Sequence, residues 1–146
     1  MPAVERSIVI NVPAERVWEA FVNLGDWPVW NHHMREVRLL TDVPLSMGSR
    51  ARIVLKTGLS STWEVTEFSP GRSFTWDASL FGSRLSFAHV VEPVSDGSRV
   101  VLRIEAAGLT ALAASLVLRL SYGRFLNRSL RRLKESLEGV GTGPQA

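Results

Sequence analysis

Three histidines, His32, His33 and His89, are the side chains of this chain that titrate nearest neutral pH. His89 alternates with Leu85, Phe87 and Val91 on one side of an extended segment, so it is expected to face inward. An inward imidazole can orient a ligand or serve as a general acid or base. The base role needs a carboxylate orienter, and Glu105 and Asp77, the acids on neighbouring segments, alternate to the opposite side. His32 and His33 are adjacent, so in an extended chain they point apart and are expected to edge a pocket entrance or face water. With no H-E-x-x-H and no cysteine in the chain, no metal site is expected. A P-loop, a dinucleotide glycine fingerprint and a G-x-S-x-G elbow are absent too, and no cofactor is expected.

A second group of polar residues interrupts an apolar stripe. Leu112, Leu116, Leu126, Leu130, Leu133 and Leu137 recur at three- and four-residue spacing, which predicts one C-terminal helix over Gly108 to Glu138. Arg119 and Gly123 fall where two more apolar residues belong, with Ser115 and Tyr122 at the edge of the same face. A helix interior glycine costs about 0.5–1 kcal/mol relative to alanine. Such exceptions suit a helix that roofs a cavity rather than one pressed on a closed core. The alternative is that Arg119 snorkels outward and Gly123 allows close helix–sheet contact.

The elements that would position these groups follow from patterning. Val4 to Val12 alternates as a strand with Ile8, Ile10 and Val12 on one side. Pro13 opens a helix carrying Val17, Trp18, Phe21 and Val22, which Gly25 ends, and Asp26 can cap a short second helix through Trp27 and Trp30. Six strands are then expected near 35–42, 49–57, 61–68, 72–80, 84–93 and 98–107, separated by short turns such as Ser69-Pro70-Gly71 and Ser95-Asp96-Gly97. Short turns imply an antiparallel meander. Its inward side carries Ala51, Ile53, Trp63, Val65, Phe74, Trp76, Val100, Leu102 and Ile104.

With 146 residues, 45% of them hydrophobic, the chain has the length and apolar content for one domain, taken as 1–138, with 139–146 as a disordered tail. No apolar run is long enough to span a membrane, and a cytoplasmic protein is expected. The net charge is +3, but its location says more. Residues 1–118 hold 11 basic and 12 acidic side chains, whereas 119–146 hold 6 basic and 2 acidic. Arg124, Arg128, Arg131, Arg132 and Lys134 lie largely on the polar side of the last helix, which reads as a solvated face; a nucleic-acid partner is not expected. The oligomeric state is left open.

The order strand, two helices, six antiparallel strands and a long C-terminal helix resembles the START-like (SRPBCC) superfamily. More closely, the chain resembles the polyketide cyclase/dehydrase and lipid-transport group. The resemblance is carried by IVINVPAERVWEA from Ile8, WPVWN at Trp27 to Asn31, VTEFSPGRSFTW from Val65 to Trp76, and HVVEPVSDGSRVVLRIEAAG from His89 to Gly108. It implies an α+β helix-grip fold, in which a curved sheet of about seven strands wraps the last helix and a cavity lies between them. It also implies that His89 matches a position often occupied by histidine and that Trp30 stands beside the entrance.

The expected function is binding of a hydrophobic small molecule such as a lipid, a polyketide or a quinone. Trp30, Trp63, Phe74, Trp76, Phe87, Leu112 and Leu116 would supply the wall, with Ser115, His89, Arg119, Tyr122 and Gly123 completing the site. The alternatives are a polyketide cyclase or dehydratase using His89 as acid or base, and an interaction protein acting through the basic helix.

Overall fold

The structure is a computed structural model of the chain, described for residues 3–80, 82–108, 113, 116, 117 and 122–139. Strand β1 (Ala3–Ile10) leads into α1 (Ala14–Val22), a single 3₁₀ turn (Leu24–Asp26) and α2 (Trp27–Trp30). Strands β2 (Met34–Leu39), β3 (Arg50–Leu55), β4 (Ser60–Ser69), β5 (Ser73–Leu80), β6 (Ser83–Val94) and β7 (Gly97–Gly108) follow. Ala113, Leu116 and Val117 are helical, and helix α3 spans Gly123–Lys134 before a π-type turn at Glu135–Gly139. No helix among the described residues is long and apolar enough to cross a membrane.

The seven strands form one antiparallel sheet in the order β1-β7-β6-β5-β4-β3-β2. The fold is therefore the α+β helix-grip arrangement, with the last helix against the sheet and the short helices following β1. The predicted meander is present, with strand ends within a few residues of expectation. Alternation does not show that β1 crosses over to pair with β7, Ile8 opposite Val100.

Opposed residues of paired strands share a face, so the register sorts the inward side into rows. One row runs Arg6, Leu102, His89, Phe74 and Phe68 from β1 to β4. The next runs Val4, Ile104, Phe87, Trp76 and Val65.

Three local expectations are corrected. Pro13 precedes the first helix in extended conformation (φ −62°, ψ 153°) instead of occupying its first turn, and its carbonyl accepts from the Arg16 amide at 3.0 Å. Helix α1 ends at Val22, so Gly25 falls in the 3₁₀ turn. Asp26 does not cap α2, because its carboxylate instead accepts from Asn23 Nδ2 at 2.9 Å.

Gly108 ends β7 rather than starting the last helix. It pairs with Ser83 at φ 110°, and a Cβ there would lie 2.7 Å from the Gly82 carbonyl. The predicted stripe is seen in α3, where Leu126, Leu130 and Leu133 are buried. Residues 140–146 of the predicted tail lie outside the described residues.

Candidate functional site

Strands β4, β5 and β6 build an aromatic wall because Trp63, Phe74, Trp76, Phe87 and His89 all fall on inward positions, and all five are buried. His89 is the centre of it. Its ring stacks between Phe74 (4.3 Å between centroids, 13°) and Phe87 (4.6 Å, 11°). Trp27 from α2 and Phe21 from α1 close over it at 5.1 and 5.8 Å. Trp27 also lies 5.1 Å from Trp76 and 5.2 Å from Trp30, and its own indole N–H donates to the Phe21 carbonyl at 3.0 Å. The short WPVW helix thus plugs the concave sheet with Trp27 and presents Trp30 beside it.

The polar atoms of this cluster are incompletely matched. His89 Nδ1 donates to the Phe74 carbonyl at 3.4 Å, which makes Nδ1 the protonated nitrogen and leaves Nε2 as a bare acceptor. Nε2 is buried with no hydrogen-bond partner among the described residues, as are the indole N–H groups of Trp30 and Trp76. Trp63 differs, since its indole donates to Ser61 Oγ at 2.8 Å. Burial lowers the His89 pKa to about 3 against the smaller opposing effect of the Phe74 carbonyl. At physiological pH the ring is neutral, so it can accept a hydrogen bond but cannot act as an imidazolium acid.

Tyr122 occupies a π-type turn just before α3 and reaches from this wall to the loop after α2. Its ring lies 6.2 Å from Phe87 and 5.6 Å from Phe125. Its hydroxyl is 3.5 Å from His33 Nε2. Burial pushes the Tyr122 hydroxyl up to about 12, so it stays a donor. The His33 pKa is lowered to about 4, first by burial and then by the charges of Arg128 and Lys56.

His32 and His33 do not splay apart as an extended pair would. They sit in a turn, and both line one small recess of about 140 Å³ with Phe125, Arg128 and Ser129 of α3. Among the described residues, no group of three or more His, Asp or Glu side chains could hold a metal ion.

The structure brings together Trp30, Trp63, Phe74, Trp76, Phe87 and His89, with Tyr122 against Phe87. Leu112, Ser115 and Arg119 lie outside the described residues. Leu116 is 57% exposed, in contrast to the walled position its spacing suggests.

Gly123 is buried and faces β1. A Cβ there would lie 2.6 Å from Arg6 Nη2, so the room the glycine leaves is taken by a guanidinium. The reading of Val4 to Val12 names only Ile8, Ile10 and Val12 on the inward side and passes over Arg6. Arg6 shares parity with Val4 and Ile8, the signal that marks an inward arginine. Trp27 and Phe21 were also missed as His89 neighbours, because only the docking of the short helices reveals them.

Residues 1–138 match the family model described as polyketide cyclase / dehydrase and lipid transport. No curated protein sequence matches the chain significantly. Solved structures with the same fold include DR_A0006 from Deinococcus radiodurans, 23% identical, with 94% of this chain and 98% of that one covered and a TM-score of 0.67. TTHA0849 from Thermus thermophilus is 20% identical over 95% of this chain and 99% of that one, with a TM-score of 0.72. The di-domain ARO/CYC BexL from the BE-7585A biosynthetic pathway is 22% identical over 99% of this chain and 48% of that one, with a TM-score of 0.75.

Proposed function

Since the chain belongs to the polyketide cyclase/dehydrase and lipid transport family, we propose that it binds a hydrophobic small molecule, a lipid, polyketide or quinone-like compound, between the inward sheet face and the last helix. The observation that carries this reading is the buried aromatic wall holding three polar atoms without hydrogen-bond partners among the described residues, His89 Nε2 and the indole N–H groups of Trp30 and Trp76. Buried polar groups are paired in nearly all native structures, and leaving one unpaired costs about 1–3 kcal/mol. A mostly apolar ligand bearing a carbonyl and a hydroxyl would meet both needs: the indoles donate to its oxygen and the neutral imidazole accepts from its hydroxyl.

Trp63, Phe74, Trp76 and Phe87 supply apolar contact on the sheet side. Leu112, Ser115 and Arg119 are assigned to the helical side by their spacing, whereas the exposed Leu116 is not. Arg119 would pair with an acidic group on the ligand, and Gly123 contributes through the Arg6 guanidinium beneath it. In this reading His89 orients the ligand. Cyclase or dehydratase chemistry with His89 as acid would require a protonated ring, which burial opposes down to about pH 3.

Native mass spectrometry of the purified protein, followed by denaturing extraction, tests the reading. A stoichiometric lipid, quinone or aromatic acid is expected. His89→Leu should lower its occupancy while the fold persists, and Arg119→Leu should weaken an acidic ligand selectively. Bare protein together with flat thermal shifts against a lipophilic library would overturn it.

A further inference from the structure

We propose that the recess between the turn after α2 and helix α3 is a binding site for a phosphate group, held by His32, His33 and Arg128 with Lys56 and Arg132 beside them. The recess has about 140 Å³ and is lined by His32, His33, Phe125, Arg128 and Ser129, a size for a compact anion rather than an apolar ligand. Two segments far apart in sequence line it, and a third, at Lys56, lies close by. The turn after α2 brings both imidazoles, α3 brings Phe125, Arg128 and Ser129, and Arg132 is near enough for its charge to act on His32. Lys56, at the end of β3, is tied to the turn by its amide, which donates to the His33 carbonyl at 3.0 Å.

The cations lack counter-charges. Among the described residues no carboxylate forms an ion pair with Lys56, Arg128 or Arg132, whereas Arg38, Arg84, Arg103 and Lys134 all have one. Arg132 Nε is shielded from solvent and has no hydrogen-bond partner among the described residues. An arginine N–H that is desolvated without an acceptor is the group an oxyanion satisfies best.

The imidazoles report the same field. The His32 pKa is lowered by desolvation and then by Arg132, Lys56 and Arg128, and the charges lowering the His33 pKa come from Arg128 and Lys56. Tyr122 Oη lies 3.5 Å from His33 Nε2, and a His33 ring protonated on Nδ1 would donate from that nitrogen to an anion. Guanidinium, ammonium and imidazole groups gathered around one recess suit a tetrahedral oxyanion.

Such a group reaches the protein either on a small free phosphate compound or as the head of an amphiphile whose chain continues past Tyr122 toward Phe87. The amphiphile source rests on the proposed apolar site, but phosphate binding itself does not. The test titrates inorganic phosphate, decyl phosphate and decanol into the full chain, following the ring signals of His32 and His33 by NMR.

Saturable shifts of both rings with inorganic phosphate are expected. Arg128→Gln or Lys56→Gln, both exposed and expected to fold, should weaken them about tenfold, the loss of one charge-assisted hydrogen bond. Arg99→Gln, an equal charge change on the far side of β7, should leave binding unchanged. Decyl phosphate binding far tighter than either phosphate or decanol would identify a headgroup site, and parity with phosphate would identify a free-phosphate site. Non-saturable shifts, or equal weakening by Arg99→Gln, would overturn the proposal by reducing it to the general basic charge of the helix.

Discussion

His89 and His33 have pKa values displaced in the same direction for different reasons. His89 sits at the centre of the sheet, flattened between two phenyl rings, and desolvation alone drives its shift. His33 sits at an edge, where burial is joined by the charges of Arg128 and Lys56. A lowered histidine pKa therefore does not identify chemistry by itself. The first environment rejects charge of either sign and favours an apolar partner with a matched hydrogen bond. The second carries unneutralised positive charge and favours an anion. A relay of ring contacts separates the two, His33 to Tyr122 at 6.0 Å, Tyr122 to Phe87 at 6.2 Å and Phe87 to His89 at 4.6 Å.

The largest expected effect that sharpens this contrast comes from packing. Phe74→Ala, which opens the wall beside His89, should cost about 3–5 kcal/mol in urea unfolding. Phe125→Ala, at the partly exposed edge beside His33, should cost well under that because less of its surface is buried. Equal losses would mean that the edge is as much core as the centre.

Acid stability separates the two histidines next. The unfolded chain protonates each ring near pH 6.5, whereas the folded chain resists until about 3 for His89 and about 4 for His33. The folded state thus keeps its full stability above pH 6.5 and loses it as pH falls toward those values. The slope approaches about 1.4 kcal/mol per pH unit per histidine. In denaturation curves between pH 7 and pH 5, His89→Leu should remove one histidine's share of the slope. An unchanged slope would show that the His89 ring is solvated or paired.

A smaller effect probes Gly123. Gly123→Ala gains helix propensity but must push the flexible Arg6 guanidinium aside, so its net effect should be near zero. In an Arg6→Ala background the same change should stabilise by about 0.5–1 kcal/mol. The coupling in that double-mutant cycle measures the contact, and additive behaviour would remove it.

The smallest effect belongs to the outer side of the sheet. The Arg84–Asp77 ion pair spans 2.6 Å, with the Arg84 side chain 64% exposed. Arg84→Ala should change stability by less than about 1 kcal/mol and should be screened by salt.

Much of the fold was legible because alternation and three-to-four-residue spacing are set by neighbours along the chain. Leu85, Phe87, His89 and Val91 announce an inward strand face whatever they finally touch, and Leu126, Leu130 and Leu133 announce a helix stripe. The wall of the candidate site was legible for the same reason. Its lid was not. Trp27 reads as one more apolar residue of a short helix, and its place over His89 depends on how that helix docks on a curved sheet. Gly123 reads as a gap in a stripe. That an arginine from β1 fills the gap follows only from the β1–β7 pairing, which local pattern does not encode.

From its own patterning, the sequence determined the order of the elements, the inward face of most strands and the basic side of the last helix, and its motifs carried the resemblance to the family. Tertiary structure decided which inward residues meet, how deeply each histidine is desolvated, and that two adjacent histidines share a recess with arginines of the last helix. The physical reason is that periodicity records the side of an element a residue occupies. Desolvation and charge pairing are set by the elements packed against it, and those come from distant parts of the chain.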